Sequence, residues 1–173
     1  MNPYRDGHVY RGQFRENLKH GIGVFTWPNK KAKYTGEFQD DFRNGLGKMV
    51  HTDGSVYTGF WLNDKKNGKG RFTFADKSVY EGEFDDDEMT GRGKFTWPEA
   101  KMESTYEGDW VRGQREGFGK MVWIKDFIDK EALWVYEGQW YRDLFHGEGT
   151  ITWDDGSSYS GGWNTGIKDG KGT

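Results

Sequence analysis

The stretch "YEGDWVRGQREGFGKMVW", Tyr106 to Trp123, sets four glycines among large rings, three of them at 2, 11 and 13 places after its tyrosine. Glycine weakens a strand interior and offers nothing to pack, so the spacing needs a reason. It recurs. Aligned on the tyrosine, the chain contains seven copies, starting at Tyr10, Tyr34, Tyr57, Tyr80, Tyr106, Tyr136 and Tyr159. Each has glycine at +2, +11 and +13, and each has Phe or Trp at +4; 21 of the 27 glycines lie on the pattern. Periodicity of this length marks a repeat architecture.

From the tyrosine to the third glycine the length never varies, whereas the distance on to the next tyrosine runs 11, 10, 10, 13, 17 and 10. The first part is a rigid unit and the second ends in a tolerant loop. The unit reads as a β-hairpin. Offsets 0, +2 and +4 share one face of a strand because side chains alternate. Offsets +1 and +3 are mostly polar, as in Glu81 and Glu83. On the returning strand +15 and +17 are apolar or aromatic, as in Phe25 and Trp27 or Met121 and Trp123, with Met49 and His51 the departure. Pairing +4 with +11 leaves a loop of six residues, closed by a positive-φ residue such as Asn44 or Asp169. It sets glycine +2 against glycine +13, a floor on which rings lie flat in the manner of aromatic rescue.

The composition agrees with a ring-built core. Leu, Ile, Val and Phe total 30 residues, while 9 Trp, 9 Tyr and 12 Phe carry the apolar surface. No segment offers a covering helix for seven hairpins, so the rings bury one another along the sheet, repeat against repeat. The expected fold is all-β: a solenoid-like, single-layer antiparallel sheet of seven stacked hairpins, elongated to about 65 Å at two strands per repeat.

Other classes are weak. The net charge of −3 gives no field for nucleic acid. Cysteine is absent, which excludes disulfides and thiolate metal sites and suits a reducing interior. The N-terminus lacks the apolar core of a signal peptide. The recurring Gly-x-Gly enters a strand, not the helix that a phosphate loop requires. "DDDE" at 85–88 fills a hairpin loop and lacks spaced calcium ligands. The four histidines, His8, His20, His51 and His146, are scattered, so no metal site and no cofactor is expected. No nucleophile elbow, Walker or metalloprotease motif occurs, so no enzyme is expected.

The pattern Tyr-x-Gly-x-Phe/Trp followed by Gly-x-Gly closely resembles the membrane occupation and recognition nexus (MORN) repeat. "YEGEF" (80–84), "YEGDW" (106–110), "YEGQW" (136–140) and "DGSVYTG" (53–59) carry the likeness, which runs from Tyr10 to Thr173. The resemblance implies a twisted sheet and a cytoplasmic scaffold on cytoskeletal or ciliary structures, or peripheral at membranes. It also implies a partner helix received on the aromatic face, for which the candidates are Tyr34, Phe38, Tyr57, Trp61, Tyr80, Phe84, Tyr106, Trp110, Tyr136 and Trp140. The alternative is a phospholipid-binding membrane tether. Lys65, Lys66, Lys69 and Arg71 are its candidates for anionic lipid or an acidic partner, diluted by Asp64 and "DDDE". Residues 1–173 read as a single array. "DGHVY" (6–10) and the terminal "GKGT" stand mid-pattern, as in a piece of a longer array able to self-associate through its ends. The insertion "IKDFIDKEALW" (124–134) has a rough helical stripe and reads equally as a hairpin extension, packed on the array or offered to a partner.

Overall fold

A computed structural model describes residues 2–3, 7–28, 31–98, 103–124 and 132–173. The core of the insertion, 125–131, and the start of "NKKAK" (29–33) lie outside the described residues. Among the described residues there are strands and turns and no helix.

The chain divides into two compact units. The first, Met1–Lys77 with Glu83–Glu88, contains β1 (Asn2–Pro3), β2 (Val9–Arg15), β3 (Leu18–Thr26), β4 (Lys33–Gln39), β5 (Phe42–Val50), β6 (Val56–Leu62) and β7 (Lys65–Thr73). The second, Ser78–Gly82 with Met89–Thr173, contains β10 (Glu103–Val111), β11 (Gln114–Ile124), β12 (Ala132–Tyr141), β13 (Leu144–Trp153), β14 (Ser158–Asn164) and β15 (Ile167–Gly172). Of the hairpin formed by β8 (Val79–Asp85) and β9 (Glu88–Pro98), residues 83–88 belong to the first unit and the remainder to the second. Inside each unit the strands are antiparallel and follow chain order in one open layer. Among the described residues no second layer covers either face.

The glycine pairs meet as expected: Gly12 faces Gly23, Gly36 faces Gly47, and Gly108 faces Gly119, with Tyr106 opposite Met121. The hairpin end differs. Trp110 pairs with Arg115 at +9, not with Gly117 at +11, and Val111 pairs with Gln114. The loop is therefore two residues long, not six. In all seven turns both central residues have positive φ, from Glu16 and Asn17 (51° and 67°) to Thr165 and Gly166 (48° and 83°). That is the type I′ signature, favoured in hairpins because its twist matches that of the strands. "DDDE" is corrected accordingly: Asp85 ends β8, Asp86 and Asp87 form the turn, and Glu88 opens β9.

The longer return strand is absorbed in a bulge. Between the Gly108–Gly119 and Trp110–Arg115 pairs, Asp109 alone opposes Glu116, Gly117 and Phe118. Gly117 sits there at φ +81°, a conformation that disfavours a side chain. So the +11 glycine itself takes the positive φ, not the residue before it. The bulge leaves an amide turned outward, and an oxygen at +3 accepts from it. Gln13 Oε1 takes the Ile22 N–H at 3.0 Å, Glu37 Oε1 that of Leu46 at 2.9 Å, and Asp109 Oδ2 that of Phe118 at 2.9 Å.

Candidate partner-binding face

Each tyrosine ring lies along its own strand, over its glycine pair. An ideal Cβ on Gly119 would stand 2.3 Å from the Tyr106 hydroxyl oxygen, and one on Gly108 2.5 Å from it. The phenol reaches past the glycines and donates to the carbonyl at +3, as from Tyr106 to Asp109 at 3.0 Å and Tyr136 to Gln139 at 2.9 Å. Tyr80 donates to Thr90 at +10, at 3.2 Å.

The +4 rings stand on edge between successive tyrosines. In the first unit Phe38 meets Tyr34 and Tyr10, and Trp61 meets Tyr57 and Tyr34, at centroid separations of 5.1 to 5.4 Å and near-perpendicular planes. In the second, Trp110 bridges Tyr106 and Tyr80, and Trp140 bridges Tyr136 and Tyr106. Edge-to-face geometry suits the ring quadrupole. Every tryptophan at +4 also donates its Nε1–H to the +13 glycine carbonyl of the preceding repeat: Trp61 to Gly47 at 3.3 Å, and Trp110 to Gly93, Trp140 to Gly119 and Trp163 to Gly149 at 3.1 Å.

At the hairpin tips a second tie joins neighbours. The backbone N–H at +7 donates to the preceding repeat's carbonyl at +9, as Asp64 to Arg43 and Asp143 to Arg115, both at 3.0 Å. The Asp64 carboxylate accepts in return from the Arg43 N–H (2.9 Å) and Nε (2.8 Å), and Asp143 does the same for Arg115 (3.0 and 2.9 Å). The held guanidinium lies over the next ring, 4.2 Å from Trp61 for Arg43 and 4.5 Å from Trp140 for Arg115.

These ties bury the sequence candidates. Tyr34, Tyr57, Tyr80, Tyr106 and Tyr136 are 0% exposed, and Phe38, Trp61, Phe84, Trp110 and Trp140 are buried as well. Burial raises the ionisation of the Tyr34, Tyr57 and Tyr106 phenols well above the usual range and that of Tyr136 to about 12. All ten lie on the intended face, but as its floor. What stands open above them is the row at +17 with its cross-strand neighbours, joined at +15 by Phe25 and Phe72, whereas Met49, Phe95, Met121 and Ile151 are buried. In the first unit this row holds half-buried Phe25, Trp27, Phe72 and Phe74. A cavity of about 210 Å³ lies there, lined by Phe25, Trp27 and Phe38 and by Lys19, Asp41, Arg43 and Asp64. In the second unit Trp134 pairs with Trp123 on one side and Trp153 on the other, a run of three tryptophans across adjacent strands. Trp134 is 42% exposed. The aromatic signal at +17 was visible in the sequence; what it lacked was the knowledge that 0 and +4 are covered.

The four cations proposed for lipid do not form one patch. Lys66, at +9, is on the ring face and its Nζ is 3.7 Å from Asp87; Lys65 is bound to Asp86; Lys69 and Arg71 are on the opposite face. Among the described residues no group of three potential ligands is placed to hold a metal ion. No helix among them is long and apolar enough to cross a membrane.

The family model "MORN repeat" matches seven segments: residues 10–31, 34–56, 57–79, 80–99, 106–125, 136–158 and 159–173. Among curated proteins no relative matches the chain.

Proposed function

The chain belongs to the MORN repeat family, a family of binding repeats, and we propose that it is a non-catalytic protein scaffold whose ring-lined face docks an apolar, helical segment of a partner. The observation that carries this is the tryptophan run Trp123, Trp134 and Trp153, apolar surface left open on a face whose rings at 0 and +4 are covered. Open aromatic clusters are where binding energy concentrates. A helix suits the spacing, since features recur every two strands, about 9.6 Å, close to the about 10.5 Å rise of a heptad. On the family likeness the scaffold works in the cytoplasm on cytoskeletal or ciliary assemblies.

The test is a comparative pull-down from native extract with wild type, Trp134→Glu and Glu107→Lys, each first shown to melt normally. Partners should persist with Glu107→Lys, on the opposite face, and fall by about thirtyfold in affinity with Trp134→Glu, the size of one hot spot. Equal loss from both variants would remove the ring face as the docking surface. The lipid reading has less support, because its four cations are split between faces and two of them are tied to aspartates.

A further inference from the structure

We propose that the face opposite the rings in the first unit is a second docking surface, and that its occupant is an acidic amphipathic helix. Two parallel rows cross the strands there. In one, the register runs Arg11, Val24, Thr35, Lys48, Thr58 and Arg71, each opposite the next. In the other are Ile22 on β3, then Leu46 and Phe60, directly opposite each other on β5 and β6. Ile22 is 61% exposed, Leu46 53% and Phe60 49%. Three large apolar side chains more than half or nearly half exposed in one row are the kind of patch that marks an interaction site.

Among the described residues, three cations of this face, Arg11, Lys33 and Lys48, have no acid directly across the strands. The cross-strand neighbours of Arg11 and Lys48 are Val24, Thr35 and Thr58. Lys33 faces Thr26 and Val50, and Lys69 adds a fourth exposed cation at the end of the apolar row. Glu37, an acid in that row, accepts the Leu46 N–H. In the second unit the equivalent row is self-compensated: Lys94 faces Glu107, Glu107 faces Lys120, and Lys120 faces Glu137, with Nζ 3.5 Å from its carboxylate. Threonine at +1 in Thr35 and Thr58, where the second unit has glutamate, leaves Arg11 and Lys48 without a cross-strand acid.

The two rows fix the partner's chemistry. They are two residues apart along each strand, about 7 Å. A helix laid across the strands would set an apolar stripe on Ile22, Leu46 and Phe60 and an acidic flank over Arg11 and Lys48. Ile22 and Leu46 are two strands apart, about 9.6 Å, and so fall to successive heptads of about 10.5 Å. An anionic bilayer fits less well. The turns beside this face carry Glu16, Asp40, Asp41 and Asp64, the last three paired with Arg15, Lys19 and Arg43, so the turns add no net positive charge for headgroups.

The probe is a fluorescent, amidated peptide of about three heptads, with leucine at the first and fourth heptad positions and glutamate along one flank. Its control has the same composition, scrambled so that leucine and glutamate do not segregate. Anisotropy should show salt-sensitive binding of the patterned peptide and binding about tenfold weaker or less for the scrambled one. Lys48→Glu and Phe60→Asp, both exposed substitutions, should each weaken it by about tenfold or more, and Lys120→Glu should leave it within about twofold. Equal binding of both peptides would overturn the proposal. So would loss on Trp134→Glu with Lys48→Glu and Phe60→Asp unaffected, which would put the peptide on the rings. Vesicles of phosphatidylcholine with about one-quarter phosphatidylserine supply the last arm. Lys48-dependent capture by vesicles without Lys48-dependent peptide binding would make the face a membrane contact instead.

Discussion

Adding one methyl group at Gly108 tests the central claim that the glycine pairs are a seat for the tyrosine rings. A Cβ there would lie 2.5 Å from the Gly119 Cα and 2.7 Å from the Phe118 carbonyl oxygen, both backbone, and 2.5 Å from the Tyr106 hydroxyl. The strands would have to part or the ring leave. Displacing a fully buried tyrosine is comparable to losing a core aromatic, about 3–5 kcal/mol, with about 1 kcal/mol more for its bond to Asp109. Gly113 is the contrasting site. It also needs a positive φ of 78°, but a Cβ there meets only the Met89 Cε, at 3.9 Å. Gly113→Ala should therefore show the left-handed penalty alone, about 1–2 kcal/mol. Chemical denaturation of Gly108→Ala, Gly113→Ala and wild type gives both numbers, with tryptophan fluorescence as the probe. A Gly108→Ala protein as stable as Gly113→Ala would refute the steric argument, since only the first change touches the ring.

Other outcomes follow from the same geometry. Gly138→Val should unfold the protein far more readily than Gly166→Val in thermal melts, because Gly138 faces the Gly149 Cα at 2.4 Å from an added Cβ whereas Gly166 has only Leu144 at 3.9 Å. Trp110→Phe should cost about 1 kcal/mol in denaturant titrations, the loss of the Nε1–H bond to Gly93, since Phe38 and Phe84 fill the same seat elsewhere. Asp143→Ala should cost about 2 kcal/mol and Asp143→Asn about half that, because asparagine keeps an acceptor for the Arg115 amide and tolerates the turn's φ of 68°. The tyrosine contribution to stability should be level below the ordinary tyrosine pKa of about 10 and fall above it. The unfolded chain ionises first, and the buried phenols, Tyr136 only at about 12, hold their protons. Each contributes up to about 1.4 kcal/mol per pH unit of that fall, read as cooperative tyrosinate absorbance coinciding with loss of β circular dichroism.

The hairpin, its face assignment and the glycine pairing were legible because they rest on a strict count: the same residue type at the same offset seven times. The turn was legible too, but in a different signal. Every copy has Asn, Asp or Gly at +7, the residues that tolerate the left-handed region, and that set marks a two-residue type I′ turn. The conspicuous glycine at +11 drew the pairing toward a wide loop instead. A bulge breaks the assumption that paired offsets sum to a constant, so register counted outward from the glycine pair is right on one side and shifted by two on the other. Burial of the ten rings was hidden for a related reason. Repeat spacing shows that Tyr34 and Trp61 share a face, but not that one stands on edge against the other at 5.4 Å, with Arg43 laid over both. The reciprocal Asp64 and Arg43 bonds join offsets +7 and +9 of different repeats, a relation that no alignment of single repeats displays.

This division of labour bears on how such a chain can discriminate among partners. The positions that make the pattern recognisable, 0, +2, +4, +11 and +13, are consumed by the architecture: rings at 0 and +4 seal one another, glycines at +2 and +13 seat them, and +11 supplies the bulge. They are nearly the same in every repeat, the rings among them are buried in the central copies, and the glycines have no side chain, so they give a partner no register and little contact. Selectivity has to reside where the copies differ and the side chains are open. At +17 the residue is Trp27, His51, Phe74, Trp97, Trp123 or Trp153; at +1 it is Arg, Thr, Glu or Ser; at +12 it is Ile22, Leu46, Lys69, Arg92, Phe118, Glu148 or Lys171. Exchanging Trp123 and His51 between their positions should then redirect binding while leaving the melting curve nearly unchanged, as both sites sit outside the sealed rows. Exchanging Phe38 and Trp61 should do the reverse. It alters the Nε1–H bond to Gly47 and the seat beneath Arg43, and so moves stability without presenting any new surface to a partner. A pull-down profile altered by the second exchange and not by the first would mean that the sealed rings are reached during binding, and the surface assignment would have to be abandoned.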